Sequence, residues 1–142
     1  MLDLFRSYPS VTAISKSLQG ERSLLFERLW DTPKALLALL LQEMEKNVLI
    51  ITGGERETRL YDDLCFFATA PIHSFPAWEI LPGEDIPPNK DILGKRFSIL
   101  RTLSQKNSGH IVLTPLQGVL QKVCSKHLLK DKNYLFVDGR YT

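Results

Sequence analysis

The sequence predicts an α/β fold, a mostly parallel sheet flanked by helices, and three observations carry that prediction. Two apolar, largely β-branched runs, V-L-I-I-T (Val48 to Thr52) and H-I-V-L-T (His110 to Thr114), have the composition of strands covered on both faces. Segments of helical period alternate with them. At 142 residues and 44% hydrophobic, the chain is long enough to bury one compact core.

The elements follow in order. Ser10 to Leu18 reads as a short helix and S-L-L-F-E-R-L, Ser23 to Leu29, as a first strand. In D-T-P-K-A-L-L-A-L-L-L-Q-E-M-E-K-N, Thr32 is the expected N-cap and Pro33 suits the first helical position, where a missing N–H costs nothing. Asn47 is the expected end, and the all-round apolar middle predicts burial on more than one side. After Val48–Thr52 and Gly53-Gly54, a helix over about Glu55 to Ala68 lines up Leu60, Tyr61, Leu64, Phe67 and Ala68.

A brief strand is expected at Ile72 to Phe75. Asn89 caps the next helix, with Leu93, Phe97, Leu100 and Ser104 along one side, flanked by Ile92, Ile99 and Leu103. Past the second strong strand, Thr114-Pro115 repeats the cap device of Thr32-Pro33. Leu116, Val119, Leu120 and Val123 then keep the i, i+3, i+4, i+7 spacing. N-Y-L-F-V-D-G-R-Y-T (Asn133 to Thr142) starts a new strand and turn and stops. The expected division is a subdomain over 1–130 and the start of another over 131–142, in a fragment of a longer protein.

Charge and cysteines exclude little. A net charge of +2 makes no basic stripe, so a nucleic-acid claim needs local clustering. Cys65 and Cys124 share no metal-like spacing with His73, His110 or His127 and read as buried, reduced thiols of a cytoplasmic protein. No metal site is expected. The N-terminus lacks the apolar run of an export signal, and Ala35 to Leu41 is far short of the ~20 residues that span a bilayer.

A strand, a turn and a capped helix invite a phosphate-loop reading at L-W-D-T-P-K-A. The working loop needs glycines whose N–H groups wrap phosphate, a lysine, and a hydroxyl for Mg²⁺. Only Lys34 remains. Asp31 and Thr32 stand where glycine is wanted, Pro33 has no N–H, and Ala35 has no oxygen. The second turn, T-G-G-E-R-E-T, already carries Glu55 and Glu57 at a helix start. Asp62 and Asp63 face different ways on a helix, and no nucleophile motif appears, so no catalytic residue is expected. Lys95, Arg96, Arg101 and Lys106, then Lys122, Lys126, Lys130 and Lys132, are the basic clusters. They read as solvated faces or as a weak, salt-sensitive phosphate contact.

Three stretches together resemble the bacterial transcription-repair coupling factors. They are Pro33 to Phe67; F-P-A-W-E-I-L-P-G-E-D-I-P-P-N-K-D-I with L-G-K-R-F-S-I-L-R-T-L; and H-I-V-L-T-P-L-Q-G-V-L-Q-K-V. The middle stretch is the specific one. Its motif residues here are Phe75, Pro76, Trp78, Glu79, Leu81, Pro82, Asp91 and Arg96.

The resemblance implies the first α/β subdomain of a module similar to the excision-repair protein UvrB, a P-loop, helicase-like framework with a degenerate nucleotide site. It implies no cofactor for this segment, the ATP and Mg²⁺ of the full-length family belonging to motor domains elsewhere. The implied partners are other domains of the same chain, the damage sensor UvrA through the following subdomain, and RNA polymerase and DNA through the whole protein. It implies no membrane. In the UvrB relatives the proline-rich region leads into a DNA-clamping hairpin, which the coupling factors lack. Phe75, Pro76, Trp78 and Leu81 are therefore expected to pin an irregular crossover to the sheet, stiffened by Pro82, Pro87 and Pro88, with Glu79 and Arg96 pairing across it. The expected role is a non-catalytic scaffold; the alternatives are a weak, non-specific DNA-binding module and a divergent P-loop hydrolase.

Overall fold

The computed structural model describes residues 5–20, 23–53, 57–80, 86–105, 108–125 and 129. Its elements are α1 (Pro9–Gly20), α2 (Asp31–Glu43), β1 (Val48–Thr52), α3 (Glu57–Phe67), β2 (Ile72–Ser74), α4 (Lys90–Ser104), β3 (Ile111–Pro115) and α5 (Leu116–Leu120). The sheet has three parallel strands in the order β1-β3-β2. Val48 pairs with Ile111 on one side, and Ile72 pairs with Ile111 on the other. Among the described residues only β3 is flanked on both edges, and it is buried from Ile111 to Thr114. The α/β class with a parallel sheet holds.

Handedness explains the layers. The path from β1 through α3 to β2 runs across the sheet one way, and the path from β2 through α4 back to β3 runs the other. Right-handed crossovers therefore put α3 and α4 on opposite faces. On the first face Ala35, Ala38 and Leu39 of α2 and Leu60 and Leu64 of α3 pack on Ile111 and Leu113, with Val48, Ile50 and Ile72 at the margin. Burying each of these leucines and isoleucines stabilises by about 2 kcal/mol, and each alanine by less. The second face has a smaller core, Phe75, Ile99 and Val112 with Leu100 beside them. Leu49 and Ile51 alternate away from the first core and stay 56% and 50% exposed.

Local chemistry explains where several elements start and stop. The Asn89 side chain accepts the Asp91 N–H at 2.9 Å, the expected cap of α4. The α2 helix ends at Glu43, earlier than expected, with Glu45 at φ +57° turning the chain. Asn47 instead accepts the His110 N–H at 3.1 Å, joining the entrances of β1 and β3. Gln42 donates to the Gly109 carbonyl at 2.6 Å and ties α2 to the same corner. Arg6 pairs with Glu43 and holds the N-terminal segment against the end of α2.

Other expectations are corrected. Residues 23–29 form no strand: Leu25 is 84% exposed, so a β-like composition finds nothing to pack on. Thr32 is not the N-cap of α2, because the helix begins two residues earlier than expected, at Asp31 after Trp30, and the Thr32 hydroxyl donates to Asp63 instead at 2.9 Å. Likewise α5 starts after Pro115 with no side-chain cap, and Thr114 is buried. That helix ends at Leu120, leaving Leu116, Val119, Leu120 and Val123 exposed instead of in the core. On α4 the buried residues are Arg96 and Ile99, while Phe97 is 40% exposed, so the inward face is turned from the one expected. Cys65 is exposed and Cys124 half-buried, so neither thiol is a core residue. The strand expected at Asn133–Val137 lies outside the described residues, as do Glu55 and Lys106.

Candidate functional site

The five residues of the supposed nucleotide loop form the first turn of α2. Ala35 is completely buried in the core between α2 and the sheet. The Lys34 ammonium lies 3.6 Å from Asp31, one helical turn back. Thr32 is engaged with Asp63 of α3. A phosphate needs several convergent N–H donors and a free cation. Here Lys34 has a carboxylate neighbour, Pro33 contributes no donor, and the turn is ordinary helix. The absent strand over 23–29 removes the rest of the strand–turn–helix frame.

The proline-rich crossover carries the more elaborate geometry. Phe75 follows β2 and donates its N–H to the Leu113 carbonyl at 2.8 Å, so it continues the sheet while its ring is buried. Arg96 projects from α4 beneath it and is only 2% exposed. Its guanidinium lies 4.2 Å from the centre of the Phe75 ring and 4.8 Å from that of Trp78. Cation–π attraction grows on desolvation, which makes these rings a suitable lining for a buried cation.

Hydrogen bonds fix the arrangement. Arg96 Nη1 donates to the Pro76 carbonyl at 2.6 Å and to Gln121 Oε1 at 3.4 Å. Gln121 Oε1 also accepts the Trp78 N–H at 2.6 Å, and its Nε2 donates back to the Trp78 carbonyl at 3.3 Å. One carboxamide thus satisfies both backbone groups of Trp78, as a neighbouring strand would. Burial pulls the Arg96 guanidinium below its ordinary value. Its Nη2 is buried with no hydrogen-bond partner among the described residues.

Of the motif residues, Phe75, Pro76, Trp78 and Arg96 come together. Trp78 is half-buried, consistent with an anchor. The expected Glu79–Arg96 pair does not form, because Glu79 is exposed while the guanidinium is buried with its Nη1 on a carbonyl and Gln121. Asp91 is exposed in the first turn of α4, where its charge suits the helix N-terminus. Leu81 and Pro82 fall outside the described residues.

Among the described residues the basic side chains do not converge. Lys95 and Arg101 are exposed but six positions apart on α4, about 240° around the axis. Lys122 is exposed beyond the end of α5, so the helical face expected for it is absent there. Lys126 and Lys130 lie outside the described residues. No group of three or more metal-ligating side chains occurs among the described residues. Gln121 is the participant that the sequence did not mark, since a glutamine after a short helix carries no signal of its own.

Comparison with known proteins gives consistent relatives. The transcription-repair-coupling factor of Escherichia coli (strain K12) is 29% identical over 125 residues, 85% of this chain and 10% of that protein. Its counterpart in Haemophilus influenzae is 26% identical over 107 residues, 74% of this chain and 9% of that protein. That of Rickettsia bellii is 27% identical over 88 residues, 61% of this chain and 8% of that protein. The curated relatives are transcription-repair-coupling factors. The resemblance read from the three stretches therefore holds, and the chain spans about a tenth of the length of those relatives. No family model and no solved structure matches the chain. No helix among the described residues is long and apolar enough to cross a membrane.

Proposed function

We propose that this chain is a non-catalytic scaffold segment of a transcription-repair coupling factor. In this reading the parent protein is an ATP-driven DNA translocase that releases stalled RNA polymerase and brings UvrA to the lesion. The segment's share is architectural: it packs against other domains of its own chain and supports the subdomain that meets UvrA. It takes the UvrB-like, P-loop-derived framework without its ligand and works in the cytoplasm.

The observation that carries the reading is the state of Lys34. The one surviving residue of a nucleotide loop sits on a regular helical turn, beside Asp31, behind a proline. The crossover supports the same reading, because Arg96 is turned inward and its Nη1 is held by Pro76 and Gln121. The test is equilibrium binding of a fluorescent ATP analogue with Mg²⁺ to the chain and to Lys34→Ala. Neither protein is expected to bind more tightly than about 1 mM. Lysine-dependent micromolar binding would replace the scaffold with a divergent hydrolase.

A further inference from the structure

The fold brings together two histidines that stand far apart in the sequence. The register sets His73 of β2 beside Val112 of β3, and His110 lies two positions before Val112 at the entrance of the same strand. Side chains alternate along a strand, so both imidazoles lie on the second face of the sheet. Their rings are 5.4 Å apart, centre to centre, and tilted by 55° rather than stacked flat. Both residues are half-buried, so the pair is within reach of solvent.

The backbone holds both rings in place. The Asn47 side chain accepts the His110 N–H at 3.1 Å, and the His110 carbonyl accepts the Val48 N–H at 2.8 Å. His73 is fixed by its place in the ladder beside β3. Against this order, His110 Nε2 is an anomaly: it is buried and has no hydrogen-bond partner among the described residues. A buried polar atom left alone costs stability, and a bound water or ion is the usual source of its partner.

We infer that His73 and His110 form a two-ligand site for a divalent transition-metal ion of the zinc class, with water completing the coordination. The spacing fits. A zinc–imidazole bond of about 2 Å puts the metal about 3 Å from each ring centre, so two rings bound at a tetrahedral angle stand about 5 Å apart. Imidazole suits such ions, whereas magnesium and calcium take oxygen ligands. Burial and then the neighbouring ring lower the His73 pKa below the ordinary 6.5, so His73 is neutral at about pH 7, the form that binds metal. An ion held there gives His110 Nε2 its partner and ties β2 to β3. The site does not depend on the scaffold reading.

Calorimetric titration of Zn²⁺ into the untagged 142-residue chain tests the inference, with Mg²⁺ as the control. Zinc is expected to bind with a Kd on the order of 10 µM, because two protein ligands make a weak site, and to raise Tm by about 5 °C near saturation. Mg²⁺ should do neither. His73→Gln and His110→Gln should each raise the Kd at least about tenfold, while His127→Gln, at the remaining histidine, should leave it unchanged. Should a glutamine variant fail to fold, the imidazole resonances of the unaltered chain decide. Those of His73 and His110 should shift together as zinc is added, and signals that stay put would overturn the inference. Binding weaker than about 1 mM would overturn it, as would binding that survives either glutamine variant or that requires His127.

Discussion

The two faces of the sheet are covered by different means. On the first, two helices lay aliphatic side chains on the strands in the ordinary way, with Ala35, Leu64, Ile111 and Leu113 excluded from water altogether. On the second, one helix covers only the β2 and β3 side, and its most buried residue is an arginine. The first face is apolar throughout and adaptable. The second is a polar lock with a fixed geometry. A core of aliphatic groups loses stability by degrees when one is trimmed, whereas a lock built from a cation, a carbonyl and a carboxamide loses its remaining partners together.

Four measurements can break or sharpen this contrast. Leu64→Ala opens a cavity in the complete core and should lower the unfolding free energy by about 3 kcal/mol in urea titration. Arg96→Ala should cost about 2 kcal/mol, because it empties the space between Phe75 and Trp78 and leaves the Pro76 carbonyl without its donor. The contrast sharpens if the arginine variant also exposes Trp78, read as a red shift of its fluorescence, while the leucine variant does not. Were Arg96→Ala neutral, the lock would be ornamental.

Gly118→Ala comes next. A Cβ there would press on the Thr114 hydroxyl well inside van der Waals contact and come within 3.4 Å of the Phe75 carbonyl. A loss of about 1 kcal/mol is expected, read as a lower urea midpoint at an unchanged slope.

The smallest effect is that of acid. His73 lies 5.4 Å, ring to ring, from His110, and burial followed by that neighbour lowers its pKa below the ordinary 6.5. The folded chain therefore takes up this proton later than the unfolded chain. The contribution is complete above pH 6.5 and is lost as the pH falls from there through the lower folded value, no faster than about 1.4 kcal/mol per pH unit. His73→Gln should flatten the urea midpoint between pH 7 and pH 5.

How far the sequence could be read depends on what each signal rests on. Val48–Thr52 was expected with its observed limits, and the other strong strand within one residue, because an unbroken apolar run needs little beyond itself to be a strand. The start of α4 was equally plain, since an asparagine cap acts over two residues. The features that escaped depend on distant partners. Among the described residues, Ser23–Leu29 has strand composition but no strand to pair with, and Val119 and Val123 have helical spacing but stay exposed. Arg96 was expected in the crossover as the partner of Glu79, but not its burial, because only Phe75, Trp78 and Gln121, from two other parts of the chain, make that burial tolerable. The proline and the aspartate beside Lys34 were legible, since they are its neighbours in the sequence. Its tie to Asp31 was not.

The amide clasp between Gln121 and Trp78 also limits how the chain could tolerate change in length. Only five helical residues separate β3 from that glutamine. Inserting or deleting a single residue there would swing the carboxamide about 100° around the helix axis and release the tryptophan. Substitutions at the exposed positions of α5, Gly118 excepted, should be accepted freely, while any alteration of its residue count should be felt at Trp78.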